Sequence, residues 1–170
     1  MTPPKARRIQ PQLDASADYA DAFEIPIGEG DSRTAEQAFR DGLGADPGAS
    51  ERLVLWIHRH VLRFRLGPFS SAGHVIGWKI VHSDPDQFVL TADGSLMRGQ
   101  LVLCRQADRH AVLTTQLFFR HHATARMVWA VIGPVHRAIA PRLIEHSARR
   151  PSARAARKAT EPLASEAFPR

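Results

Sequence analysis

The second half of the chain alternates apolar and polar positions as β-strands do, and then changes to a helical period. Four strand-like runs follow one another with short turns between them: residues 75–82, 88–92, 96–105 and 110–120. The dipeptide Asp93-Gly94, between the second and third runs, is a strong hairpin signal. Because connections this short join only antiparallel neighbours, the pattern predicts an antiparallel meander.

The faces of this meander follow from the period of two, since successive side chains of a strand point to opposite sides. In the third run, Arg98 and Gln100 share one face, and the opposite face holds the apolar residues Met97, Leu101 and Leu103. The fourth run repeats the arrangement. We therefore expect an apolar concave face and a more polar convex face.

From about residue 123 the apolar positions recur with the period of an α-helix. One stripe contains Ala125, Val128, Trp129, Ile132, Val135, Ile139 and Leu143. A proline inside a helix removes an N–H group and clashes with the preceding turn. The helix is therefore expected to kink or divide near Gly133-Pro134.

The first half of the chain predicts one strand and two short helices. Residues 23–27 alternate as a strand, and Thr34 with Gln37 forms a capping box for a helix that ends at Leu43. Ser50 can cap a second helix, which Gly67-Pro68 would end. The predicted fold class is α+β: a curved antiparallel sheet wrapped around a long C-terminal helix, with two short helices after the first strand.

The net charge of +6 is concentrated in the two ends of the chain. Residues 1–13 and 149–170 are basic and poor in apolar groups, which predicts disordered tails around a single domain at residues 14–148. The tails could contact phosphate groups of nucleic acid or an anionic membrane. They contain only Phe168 as an aromatic residue, so we expect no specific nucleic-acid recognition.

Cysteine usage and hydropathy limit the location of the protein. Cys104 is the only cysteine, which excludes an intrachain disulfide and fits a reducing compartment. No apolar run reaches the roughly 18 residues of a transmembrane helix. The sequence thus predicts a cytoplasmic protein with no transmembrane segment, and leaves its oligomeric state open.

Three short pieces of the chain resemble a known family. They are Ile76-Gly77-Trp78-Lys79, Leu113-Thr114-Thr115, and Ile132-Gly133-Pro134-Val135-His136-Arg137 followed by Leu143-Ile144. Over about residues 22–148 the chain is similar to the bacterial family called domain of unknown function 2867. The order of elements is that of the helix-grip fold of the START/polyketide-cyclase-like (SRPBCC) superfamily. This resemblance implies a pocket for a hydrophobic ligand between sheet and last helix, although only some members of the superfamily are enzymes.

The leading hypothesis is therefore the binding of a small hydrophobic molecule in such a pocket. The candidate lining residues are Trp78, Met97, Leu101, Thr115, Phe119, Trp129, Ile132 and His136. The two tryptophans could also simply fill the core. Arg126 and Arg137 are candidates for clamping a carboxylate or phosphate, and as surface arginines they would have no such role.

Two alternative functions remain open. In a polyketide cyclase or dehydratase type of enzyme, His136 would act as general acid and base. If it is a core histidine bonded to a backbone carbonyl, it has no catalytic role. The other alternative is a protein-interaction module that uses the sheet or the tails. His58 and His60 are two residues apart on a predicted helix, so they cannot bind one ion together, and we expect no metal site and no cofactor.

Overall fold

The computed structural model describes residues 5–11, 16–28, 30–43, 48–106 and 109–149. The seven strands of these residues form one open antiparallel sheet in the order β1-β2-β7-β6-β5-β4-β3. The strands are β1 (Arg7–Ile9), β2 (Tyr19–Pro26), β3 (His74–Val75), β4 (Trp78–Ser83), β5 (Gln87–Asp93), β6 (Met97–Gln106) and β7 (His110–Phe119). The predicted meander is confirmed, since β4, β5, β6 and β7 pair antiparallel in chain order.

Three α-helices accompany the sheet in the described residues. They are α1 (Ala35–Leu43), α2 (Ala49–Trp56), which continues into a π-helical turn at Ile57–Val61, and α3 (His122–Arg149). The protein is thus an α+β protein whose last helix is C-terminal. Among the described residues, no helix has the length and apolar character needed to cross a membrane.

Helix α1 begins where its capping box predicts. The backbone N–H of Gln37 donates to Oγ1 of Thr34 at 3.2 Å, and the N–H of Thr34 donates to Oε1 of Gln37 at 3.1 Å. These two bonds satisfy donors that the first helical turn would leave free. Phe39 then packs against Phe88 of β5, with 5.6 Å between ring centroids, and joins the helix to the sheet.

The strand predicted over residues 75–82 is confirmed from Trp78 onward, but a turn divides it from Val75. Val75 pairs with Trp78 across Ile76-Gly77, so β3 and β4 form a hairpin. Both turn residues have positive φ, 49° at Ile76 and 77° at Gly77. Glycine adopts this conformation freely, but a β-branched residue rarely does, so Ile76 is strained. Tertiary contacts hold Ile76 in place, since it is buried in the core.

The second helix also differs from its prediction. Gly48 is the N-cap residue rather than Ser50, and regular α-helix ends at Trp56 instead of reaching Gly67-Pro68. The wider π turn that follows departs from the α-helical period. Leu53, in the regular part of α2, is 51% exposed.

Part of the N-terminal segment that was expected to be a disordered tail is a strand. Residues 7–9, within the segment expected to be a disordered tail, form an edge strand that pairs with β2. Arg7 supports this pairing through an ion pair with Glu24 at 2.9 Å. Residues 150–170 of the predicted C-terminal tail lie outside the described residues.

Helix α3 spans 28 residues and covers the inner face of the sheet. It contains Pro134 and Pro141 without dividing, so the expectation of a division at Gly133-Pro134 is wrong, and a kink there stays a prediction. The predicted alternation of β6 is confirmed, because Met97, Leu101 and Leu103 are buried and Arg98 is exposed.

Candidate functional site

A cavity of about 90 Å³ lies between the inner face of the sheet and α3, with α2 and its π turn on a third side. Its walls contain six of the eight predicted lining residues: Trp78, Leu101, Thr115, Trp129, Ile132 and His136. The other two, Met97 and Phe119, are buried in the core but do not line the cavity. Most of the wall is aliphatic or aromatic, so it favours apolar ligand groups.

The residue spacing along β7 and along α3 explains which side chains line this cavity. Leu113, Thr115 and Leu117 alternate along β7 and therefore share the face that looks toward α3. On α3, Trp129, Ile132 and His136 follow at spacings of three and four, which places them on one side of the helix. The strand supplies one polar wall group and the helix another.

His136 forms a buried pair with Asp21 of β2. Its Nε2 atom lies 3.3 Å from Oδ1 of Asp21, and the phenol of Tyr19 donates to the second carboxylate oxygen at 2.7 Å. Asp21 is completely buried. Because His136 bonds this carboxylate, the interpretation of it as a core histidine bonded to a backbone carbonyl is wrong.

The environment of Asp21 favours its ionised form. Burial alone would raise the pKa of Asp21, but the hydrogen bond and charge of His136, together with the hydroxyls of Tyr19 and Thr115, lower this pKa below its ordinary value. Burial and the carboxylate of Asp21 raise the pKa of Tyr19. The wall beside the cavity therefore contains a carboxylate, an imidazole and a neutral phenol.

A second imidazole, that of His58, enters the cavity from the π turn. Its Nδ1 atom accepts a hydrogen bond of 3.2 Å from the indole N–H of Trp78, and Phe64 packs on both rings. Burial, with a smaller effect of the charge on His136, lowers the pKa of His58 to about 3. His58 is therefore a neutral imidazole at neutral pH.

A further polar atom in the walls, Nε1 of Trp129, lacks a hydrogen-bond partner within the described structure, and its residue is only 8% exposed. A buried polar group without a partner costs about 1–3 kcal/mol. Such groups therefore favour any ligand that brings a complementary atom within reach.

The anion clamp suggested for Arg126 and Arg137 stays a prediction. Arg126 is exposed, and Arg137 lies beside Tyr19. Eleven residues on one helix put the two backbones about 16 Å apart along its axis. Neither arginine lines the cavity.

Sequence reasoning missed Tyr19, Asp21 and His58. A signal existed for the first two, because the alternation read at Phe23 and Ile25 extends back in phase to Asp21 and Tyr19. A carboxylate in phase with core positions indicates a buried polar group with a partner. His58 carried no such signal, since the π turn alters the helical period.

No group of three or more His, Cys, Asp or Glu side chains in the described part of the chain could hold a metal ion.

The fold and site define an α+β protein with a mostly apolar cavity between sheet and C-terminal helix, entered by two histidines. The chain belongs to the family described as protein of unknown function (DUF2867), whose model matches residues 14–143. No curated protein and no solved structure matches it.

Proposed function

We propose that this protein binds a small hydrophobic molecule in the cavity between its sheet and α3, in the manner of helix-grip proteins of the START/polyketide-cyclase-like superfamily. The observation that supports the proposal is the apolar cavity itself, about 90 Å³ in volume. Apolar cavities of similar order bind molecules the size of benzene. Burying roughly 200 Å² of ligand surface would contribute about 5 kcal/mol.

Native mass spectrometry of the purified protein, followed by denaturing extraction, tests this proposal. We expect a co-purifying apolar molecule in the wild type. The substitution Ala140→Met fills the cavity from α3, whereas Ala138→Met places the same side chain on the exposed face of the same helix. The first variant should lose the ligand and the second should retain it. Equal retention by both, or an empty wild type that binds no added apolar probe, would contradict the proposal.

A second candidate function is an enzyme of the cyclase or dehydratase type with His136 as general acid and base. The observation that favours it is that His136 both lines the cavity and pairs with buried Asp21. In such an enzyme an arginine could hold the enolate-like oxygen of the substrate. Neither Arg126 nor Arg137 lines the cavity, so nothing supports this role for them. An interaction module would need an exposed apolar patch; Met127 and Val131 are exposed on α3, but nothing in the described structure indicates what covers them.

A further inference from the structure

Two imidazoles from different elements line the same cavity, and each has one ring nitrogen that bonds a protein group. His58 stands on the π turn and His136 on α3. Trp78 occupies one nitrogen of the first ring, and Asp21 occupies one nitrogen of the second. Since the tautomer of a neutral histidine follows from the bond its occupied nitrogen makes, the partners determine what each ring offers to a ligand.

His58 offers a hydrogen-bond donor. The indole N–H of Trp78 can only donate, so Nδ1 of His58 must accept and the ring proton must lie on Nε2. With a pKa of about 3, His58 stays neutral over the physiological range. Its Nε2–H has no partner among the described residues, and it is free to donate to a bound molecule.

His136 offers the opposite group. The ionised carboxylate of Asp21 only accepts, so in the neutral form of His136 the ring proton lies on Nε2, toward Oδ1 at 3.3 Å. In that form the Nδ1 atom carries a lone pair, and it has no partner in the described part of the chain. Asp21, itself held by Tyr19, therefore acts as a positioning residue that determines the tautomer of neutral His136.

We propose that the cavity takes a small uncharged carbonyl compound, with the Nε2–H of His58 donating to the carbonyl oxygen and Nδ1 of His136 accepting a proton from the adjacent carbon. This inference rests on the proposed function of ligand binding. A carbonyl oxygen fits the donor of His58, and an apolar remainder fits the aliphatic walls. An anionic ligand is disfavoured because no Lys or Arg of the described residues lines the cavity and the nearby carboxylate of Asp21 is ionised.

The chemical step needs no further reactant. The bond from the adjacent carbon to hydrogen breaks, its electron pair forms the carbon–carbon double bond, and the carbonyl π pair moves to the oxygen held by His58. The proton passes to Nδ1 of His136, which becomes an imidazolium next to Asp21. If the proton on Nδ1 is first replaced by one from solvent, its return to the same carbon gives hydrogen exchange. Return of the proton to a conjugated carbon instead isomerises the compound. Neutral imidazoles are known as electrophiles for carbonyl oxygens.

Proton exchange of cyclohexanone in D₂O, followed by NMR with the full chain, tests the step. We expect deuterium to enter next to the carbonyl at least tenfold faster with wild-type protein than with His136→Gln or with buffer. The variant His146→Gln, on the exposed face of the same helix, should exchange as the wild type does. His58→Phe removes the donor and should also lose the acceleration.

Saturation-transfer NMR with cyclohexanone and methylcyclohexane separates this inference from the proposed function. Preferential binding of the ketone, together with exchange, supports the inference. Equal binding of both probes, or ketone binding with exchange no faster than in buffer, overturns the inference and leaves hydrophobic ligand binding intact. Failure of both probes to bind contradicts both proposals.

The ¹⁵N chemical shifts of the imidazoles provide a readout that is independent of activity. Both His58 and His136 should show the proton on Nε2 in the wild type at neutral pH. In Asp21→Asn, which can donate as well as accept, the signals of His136 should shift toward a mixture of tautomers while those of His58 stay unchanged. A wild-type His136 protonated on Nδ1 would overturn the assignment of the base.

Discussion

Asp21 and His136 are 115 residues apart in the chain, and Nε2 of the histidine lies 3.3 Å from the carboxylate. The carboxylate belongs to β2, near one edge of the sheet, and the imidazole to the helix that covers it. The pair therefore forms only when β2 has joined β7 and α3 has closed over both. Because Asp21 is completely buried, the pair contributes to the stability of the fold as well as to the cavity.

The first prediction concerns the removal of this carboxylate. Asp21→Ala should lower the free energy of unfolding by about 3–5 kcal/mol, because it leaves the partner groups of His136 and Tyr19 buried without an acceptor. Asp21→Asn, which can still hydrogen-bond, should cost about 1–3 kcal/mol. Urea unfolding at neutral pH measures both. The control is Asp93→Ala, which breaks the exposed pair with Arg120 and should cost less than about 1 kcal/mol. An Asp21→Ala loss no larger than that of the control would contradict the prediction.

The second prediction is a loss of stability in acid that depends on Asp21. The pKa of this group is lowered in the folded protein, so its stabilising effect is complete above the unfolded value of about 4 and is lost as the pH falls through the lower folded value. The difference in unfolding free energy between wild type and Asp21→Asn should therefore shrink below about pH 4. Asp31, Glu36 and Asp84 also have lowered pKa values, but they are present in both proteins and cancel. A constant difference from pH 2 to pH 6 would be the opposing result.

Local sequence patterns predicted those parts of the fold that depend on interactions between residues close together in the chain. The period of two identified the inner residues of β6 and β7, and the stripe of α3 brought Trp129, Ile132 and His136 to one cavity. The capping box of α1 needs only Thr34 and Gln37, so it too could be read directly.

The remaining features depend on tertiary contacts that no local pattern contains. Ile76 adopts a positive φ because the β3–β4 hairpin and the core hold it there, whereas its own preference favours continued strand. The π turn displaces His58 from the helical period that the sequence displays. The partner of His136 was missed because the strand predicted over residues 23–27 begins after Asp21, although the alternation extends back to it.

A third prediction tests the close packing behind the cavity. A Cβ atom at Gly99 would lie 2.6 Å from a ring carbon of Trp78 and 3.1 Å from Cζ of Phe64. Both rings are buried and cannot move without displacing others, so Gly99→Ala should cost about 1–3 kcal/mol or more. It should also shift the tryptophan fluorescence, since Trp78 must move away from His58.

The matched control for this substitution is Gly73→Ala. A Cβ atom there would meet no heavy atom within 4 Å, and the backbone has no positive φ. Its unfolding free energy should stay within about 0.5 kcal/mol of the wild type. If the two alanine variants unfold at the same urea concentration, then Gly99 is not needed for the approach of Trp78.

The last prediction follows from the neutral state of His58. Its pKa falls from 6.5 to about 3 on folding, so below pH 6.5 the unfolded chain binds a proton that the folded protein does not. The contribution of His58 to the free energy of unfolding is therefore complete above pH 6.5. As the pH falls toward 3, the free energy of unfolding declines by up to about 1.4 kcal/mol per pH unit. The window from pH 4.5 to pH 6.5 lies above the range in which Asp21 acts, so the two effects can be separated.

Unfolding free energies at pH 4.5, 5.5 and 6.5 measure this slope. His58→Phe should be less stable than the wild type at pH 6.5, because it loses the bond from Trp78, but its stability should change less with pH. His60→Phe is the control, since His60 is exposed on the same π turn and stacks only on exposed Trp56. The His60 variant should keep the wild-type slope. If His58→Phe keeps that slope as well, then His58 binds a proton in the folded protein, and its Nδ1 cannot be the acceptor for the indole N–H of Trp78.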